Sequence, residues 1–152
     1  MSARPEPSRE AGDGRETGYR LEDQVGFVLR QVQQRHGAIF AEAFGDDLTP
    51  TQWAAVAKLA EAGECSQNRL GRLVAMDVAT VKGVVDRLIR RGLAKTRADP
   101  ADRRRVLVTL TPDGLAAFRG GAAKALAITE ATLEPLSVAE RNVLLDLLRR
   151  LR

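Results

Sequence analysis

The stretch from Asp77 to Leu110 constrains this chain more than any other. Its first part, DVATVKGVVDRLIRR from Asp77 to Arg91, places Val81, Val84, Val85 and Leu88 at i, i+3, i+4 and i+7, one buried stripe of a helix. Asp77 is a short polar residue suited to capping the first turn, and Gly92 follows the last turn, where a left-handed residue ends a helix. Two short stretches come next, Leu93 to Arg97 and Val106 to Leu110. The second, VLVTL, is β-branched and bounded by turn residues, so both read as strands. Between them, Ala98 to Arg105 holds the turn formers Asp99, Pro100 and Asp102. A helix, a glycine and a β-hairpin in that order leave little choice of local architecture.

Charge then says what the arrangement is for. The outer face of the helix carries Ala79, Lys82, Gly83, Asp86 and Arg90, flanked by Thr80 and Arg87. Small side chains at Ala79 and Gly83 let another surface approach closely, and Lys82 and Thr80 can donate to base edges or phosphates. From Arg90 to Arg105 seven Lys or Arg residues face two Asp. Three of them are consecutive, Arg103, Arg104 and Arg105, and their mutual repulsion is relieved by a polyanion. The whole chain of 152 residues has a formal net charge of +4 and a pI near 9.8, in keeping with a nucleic-acid partner. Upstream, SQNRLGRLVA predicts a helix capped by Ser66 with Leu70, Leu73 and Val74 as its apolar stripe. Its first turn offers Gln67 and Asn68 to a phosphate. A short turn at Met76 and Asp77 separates it from the next helix, so the pair forms a helix-turn-helix. With the hairpin added, the predicted fold is mainly α with a small β wing, a winged helix-turn-helix.

The residues CSQNRLGRLVAMDVATVKGVVDRLIRRGL and DPADRRRVLVTLTPDG resemble the MarR family of bacterial transcriptional regulators. The resemblance runs from about Tyr19 to Arg152, and the wing signature D-P-x-D-R-R, then a strand and L-T-x-x-G, is its most specific part. It implies a homodimer on double-stranded DNA, with Asp102 orienting Arg104 into the minor groove. It also implies a cleft, lined by the first helix, in which small organic acids bind. The block YRLEDQVGFVLRQVQQRHGAIF with LTPTQW is similar to members governing aromatic-acid catabolism, the nicotinate type among them. The added N-terminal helix of the urate-responsive members is missing, so urate is not the expected ligand.

The rest of the chain fills in around this unit. Residues 1–18 are rich in Pro, Gly, Glu and Arg and predict a disordered tail. A first helix is expected from Leu21 to Phe44, making residues 19–45 a dimerisation and ligand region. Arg35 and His36 interrupt its apolar pattern and are the candidates for carboxylate recognition, His36 being otherwise a surface or interface imidazole. A second helix opens at LTPTQW with Thr49 as cap, Pro50 at its first position and Gln52 closing a capping box. Trp53, Val56, Ala57 and Ala60 are expected to face inward, Trp53 as core or as a wall of the ligand cleft. Residues 46–110 form the DNA-binding region and 111–152 two C-terminal dimerisation helices. The first of these is expected to bury Leu115, Phe118, Ala122, Ala125, Leu126, Thr129 and Leu133. The second, opened by a Ser137–Glu140 box, carries Leu144, Leu147, Leu148 and Leu151.

The DNA-contacting residues expected from all this are Ser66, Gln67, Asn68, Ala79, Thr80, Lys82, Gly83, Arg87, Arg90, Arg103, Arg104 and Arg105. An enzyme is not expected, because the one histidine and the one cysteine, Cys65, lie in different helices and no phosphate loop or HExxH motif exists. The same count leaves no structural metal site, and no cofactor is expected. Cys65 reads as buried and inert. One cysteine, no signal-like N-terminus and no apolar run of about 18 residues predict a cytoplasmic chain without a membrane span. The alternative function is a winged helix that binds DNA non-specifically and answers to no ligand.

Overall fold

The computed structural model describes residues 17–152, so nearly all of the tail expected over residues 1–18 lies outside the described residues. Two compact units divide between Arg35 and His36. In the first, a single 3-10 turn, Leu21–Asp23, carries an Arg20–Asp23 ion pair at 3.7 Å. Helix α1 (Val25–Phe44) follows. The helical spacing runs back to Leu21, but Gln24 adopts extended backbone (φ −86°, ψ 127°), so the helix begins at Val25 rather than at Leu21.

The second unit starts inside α1 and holds the remaining elements: α2 (Pro50–Ala62), β1 (Cys65–Ser66), α3 (Gln67–Leu73), α4 (Val78–Arg90), β2 (Ala94–Ala98), β3 (Val106–Leu110), α5 (Pro112–Leu133) and α6 (Val138–Arg150). Its core is built from Phe40, Phe44, Val56, Leu59, Leu70, Val108 and Ile128, together with the stripe Val81, Val84, Val85 and Leu88 of α4. Helix α2 opens with the reciprocal Thr49–Gln52 box, and its inward face is Gln52, Ala55, Val56 and Leu59. Trp53, Ala57 and Ala60, expected inside, are only half-buried. Likewise Leu73 of α3 is exposed and Gly71 takes the buried place, where a Cβ would sit 3.0 Å from the Met76 carbonyl.

Helix α4 ends in a Schellman motif. Gly92 takes φ +71°, its N–H bonds the Ile89 carbonyl, and the Leu93 N–H bonds the Leu88 carbonyl. That use of the Leu93 amide explains why β2 begins at Ala94, one residue later than expected. The sheet has three strands rather than two, in the order β1-β3-β2, all antiparallel. Cys65 pairs with Val108 and Ser66 with Leu107, so Cys65, counted with the helices in the sequence, lies instead in a short edge strand that runs into the α3 cap.

The buried side of α5 also differs from expectation. It runs through Gly114, Gly121 and Ile128, while Leu126 is 71% exposed. The cause is close approach: a Cβ on Gly114 would fall 2.0 Å from the Leu93 carbonyl oxygen, and one on Gly121 would fall 2.5 Å from the Trp53 ring. Two glycines seven residues apart let the helix lie against the wing base and Trp53. Of the expected stripe, Phe118, Ala122, Ala125 and Leu133 are half-buried, while Leu115, Leu126 and Thr129 are exposed.

Candidate nucleic-acid interface

Helix α4 commits every large aliphatic side chain of its stripe to the core, which leaves its polar face free to act. Asp77 caps it, accepting from the Thr80 N–H at 2.7 Å and from the Thr80 hydroxyl at 3.0 Å. These two bonds hold the Asp77 carboxyl below the usual carboxylate range. Lys82 donates to Asp86 at 2.8 Å, one turn on, which lowers the Asp86 pKa in turn. Ala79, Thr80, Lys82, Arg87 and Arg90 are exposed, whereas Gly83 is half-buried. Two of the expected base-reading groups, Thr80 and Lys82, are therefore held in place by local carboxylates and must exchange partners to donate elsewhere.

The wing turn is organised by its acids. Asp99 accepts from the Ala101 N–H at 2.9 Å, and Asp102 accepts from the Arg104 N–H at 3.0 Å. The second Asp102 oxygen lies 3.4 Å from the Arg105 guanidinium. Asp102 thus holds the Arg104 backbone, while the side chain it meets belongs to Arg105. Arg103 and Arg104 are exposed at the tip. Beside the wing turn the tertiary structure joins two stretches nearly forty residues apart. Ser66, Gln67 and Asn68 share a cleft of about 100 Å³ with Arg104, Arg105 and Val106. Ser66 also caps α3 through the Arg69 N–H at 3.3 Å. Polar side chains from the start of a helix and two guanidinium groups around one small cleft make a place where a phosphate group can be neutralised and hydrogen-bonded.

Comparison with known proteins agrees with this geometry. The model of the MarR family matches residues 48–106. The HTH-type transcriptional repressor NicR of Pseudomonas putida is 38% identical over 99% of this chain and 95% of its own length. The chain belongs to the MarR family. Among solved structures, a probable transcriptional regulator from Pseudomonas aeruginosa shares 55% identity with a TM-score of 0.85, covering 88% of this chain and 100% of that one. BpsR of Bordetella bronchiseptica, whose DNA binding is regulated by 6-hydroxynicotinic acid, shares 42% identity at a TM-score of 0.85, over 88% of this chain and 96% of its own. The fold is accordingly a MarR-type winged helix-turn-helix, and the relatives are transcriptional regulators. No helix among the described residues is long and apolar enough to cross a membrane.

Within this MarR-family frame, the residues expected to recognise a ligand sit in different settings. Arg35 closes the first compact unit. His36 Nδ1 lies 2.9 Å from the Thr132 hydroxyl, which also lies 2.7 Å from the Ile128 carbonyl. Trp53 stands between Phe44 and Phe118, with ring centroids 5.1 and 5.8 Å away, against Gly121. A cleft not anticipated from the sequence opens elsewhere, about 280 Å³ in volume, between the end of α4 and α5. Phe44, Asp47, Leu93 and Gly120 line it, with Arg91 and Lys124 as its cations. Arg91 donates to the Asp47 carbonyl, and Lys124 lies 3.5 Å from the Asp47 carboxylate and 5.5 Å from the Phe44 ring centroid. Arg91 sat in the basic run as one charge among seven, and nothing local marks Lys124. Cys65 is buried in β1, and that burial raises its thiol pKa, the reverse of what a reactive thiolate needs.

Proposed function

We propose that this protein is a homodimeric, sequence-specific transcriptional repressor that binds a pseudo-palindromic operator and is released by a small aromatic acid. The observation that carries the DNA-binding reading is the cleft shared by Ser66, Gln67 and Asn68 with Arg104 and Arg105. It supports a clamp in which the start of α3 and the wing grip the backbone while Ala79, Thr80, Lys82, Gly83, Arg87 and Arg90 of α4 face the groove between them. Phosphate contacts position the protein, and base contacts then select the sequence. The relatives are transcriptional regulators, and no nucleophile–base pair stands out among the described residues, which supports binding rather than catalysis.

Dimerisation is supported by α6, which has no buried residue although Val143, Leu147 and Leu148 are exposed on it and Leu151 at its C-cap. A second copy would cover this apolar surface and place two recognition helices about one DNA turn apart, roughly 34 Å. The effector reading draws on the relative regulated by 6-hydroxynicotinic acid and on the Arg91–Lys124 cleft, whose volume of about 280 Å³ suits a single-ring acid. His36 and Trp53 form the second candidate locus. The acid releases DNA only if it binds the non-competent geometry more tightly.

The decisive experiment is fluorescence anisotropy on the duplex upstream of the protein's own gene and on a scrambled duplex, across a salt series, with and without 6-hydroxynicotinic acid. Preference for the first duplex by about 10³-fold or more, lost when the acid is added, is the expected result. Equal, steeply salt-dependent binding to both duplexes would replace this reading with an architectural one. Retained release in an Arg91→Gln variant, with loss of release in His36→Gln, would move the effector to the second locus.

A further inference from the structure

One ion pair in the wing is built differently from the rest. Arg97 on β2 donates through Nε to Glu64 Oε2 at 2.9 Å and through Nη2 to Glu64 Oε1 at 2.5 Å. Glu64 belongs to the loop between α2 and β1. The two residues come from opposite edges of the sheet: β1 and β2 both pair with β3, and Leu107 is the partner of Ser66 on one side and of Arg97 on the other. The pair therefore crosses the central strand. Its two parallel hydrogen bonds fix both angle and distance, which a single-point lysine contact would not.

Its position matters as much as its form. The β2–β3 ladder ends at Ala98–Val106, one step beyond Arg97, and the turn carrying Asp102, Arg103 and Arg104 projects past it. On the other edge, β1 contributes only two residue pairs. A bidentate tie from the body of the domain to β2, close to the last rung, is placed to control the angle at which the tip leaves the sheet. It also occupies the charge of Arg97, so that side chain is not available to a phosphate as its neighbours are.

We propose that Glu64 and Arg97 form a strut that sets the pitch of the wing, which makes Glu64 a specificity-determining positioning residue that itself touches no DNA. This rests on the reading of the wing as a DNA-contacting element. Without the strut the tip samples a range of angles, so contacts that require one wing geometry are lost while non-specific attraction to phosphate is kept or increased.

The test uses the full chain and a duplex selected by the wild-type protein from a random pool, compared with a scrambled duplex over a salt series. The variants are Glu64→Gln, Arg97→Gln and the exchanged double Glu64→Arg/Arg97→Glu, each checked for an unchanged far-UV spectrum and a cooperative melt. Each single variant is expected to lower the ratio of selected to scrambled affinity about tenfold, the lower end of what a displaced groove contact costs. Glu64→Gln should also steepen the logarithmic salt dependence by about one, as the freed Arg97 finds a phosphate, whereas Arg97→Gln should not. The exchanged pair should recover most of the lost ratio. Equal tightening on both duplexes in Glu64→Gln, with no recovery in the double, would overturn the proposal and leave Glu64 as a simple repulsive charge. Hydrogen exchange at the β2 amides gives a readout that needs no DNA. Faster exchange in both single variants, restored in the double, is expected, and unchanged exchange overturns the strut. If the wild type selects no sequence, the regulatory reading fails, and the exchange data still decide the strut.

Discussion

Helices α4 and α6 have the same length, thirteen residues, and are both rich in aliphatic residues, yet they end in opposite conditions. In α4 the apolar stripe is consumed: Val81, Val84, Val85 and Leu88 are each within 1% of complete burial. What remains on its surface is mostly polar and net positive, with Val78 and Ile89 as the exposed aliphatic exceptions. In α6 nothing is buried, and Leu151 at its C-cap stands 75% exposed. One helix has finished its apolar business inside its own chain and presents charge. The other presents apolar surface left exposed among the described residues. The difference indicates two kinds of partner, a polyanion for α4 and an apolar protein surface for α6, before any relative is consulted.

The sharpest way to break this contrast is to shorten one leucine inside α4 and one at the C-cap of α6. Leu88→Ala should cost about 3 kcal/mol of folding stability, within the range for a fully buried leucine. Leu151→Ala should cost less than about 0.5 kcal/mol in a dilute monomer, as surface changes do, while weakening self-association. Equilibrium denaturation over a range of protein concentrations separates the two. A concentration-independent loss of similar size for both variants would erase the comparison.

On the DNA side, Arg104→Ala should weaken binding by about 1–3 kcal/mol on any duplex, whereas Lys82→Ala should also relax the choice of sequence. Anisotropy on selected and scrambled duplexes reads both. Equal losses for Lys82→Ala on the two duplexes would remove Lys82 from the base-reading set. A subtler case is Gly83. An added Cβ there would meet only an Arg87 nitrogen, at 3.8 Å. Gly83→Ala should therefore stabilise the fold by about 1 kcal/mol through helix propensity, while weakening DNA binding if the groove floor comes close. Thermal denaturation and anisotropy should move in opposite directions. A rise in both would show that the glycine serves no close approach.

The smallest expected effect is in acid. Glu64, Asp77, Asp86 and Glu140 are all held below their ordinary values by the groups they accept from: Arg97, Thr80, Lys82 and Ser137 respectively. Carboxyls with lowered folded-state pKa contribute stability that is complete above the ordinary value and is lost as pH falls through the lowered one. The melting temperature should accordingly decline below about pH 4. The decline should be shallower in Asp77→Asn, and it concerns α4 more than α6, since α6 has only its Ser137–Glu140 cap at stake.

Much of α4 and the wing could be read directly from the residues, because their determinants are local. A cap lies one position before a helix, a stripe repeats within two turns, and Asp102 meets the amide two residues on. All of these act over distances that the chain's own geometry sets. The Schellman end of α4 belongs to the same class, since Gly92 supplies a conformation that other residues resist.

What sequence alone determined, then, is the winged helix-turn-helix and its basic face. Only the tertiary structure decided the features that join distant stretches. β1 is a strand solely because β3 lies beside it, and two residues are too few to carry a strand signal. The most buried line of α5 is set by where Leu93 and Trp53 press against Gly114 and Gly121, so the stripe chosen by hydrophobicity is only half-buried and Leu126 is left outside. The Glu64–Arg97 pair and the Arg91–Lys124 cleft each join residues some thirty positions apart in sequence. Periodicity reports which residues want burial, but the partner that accepts them, and the charges that end up facing one another, are fixed by packing in three dimensions.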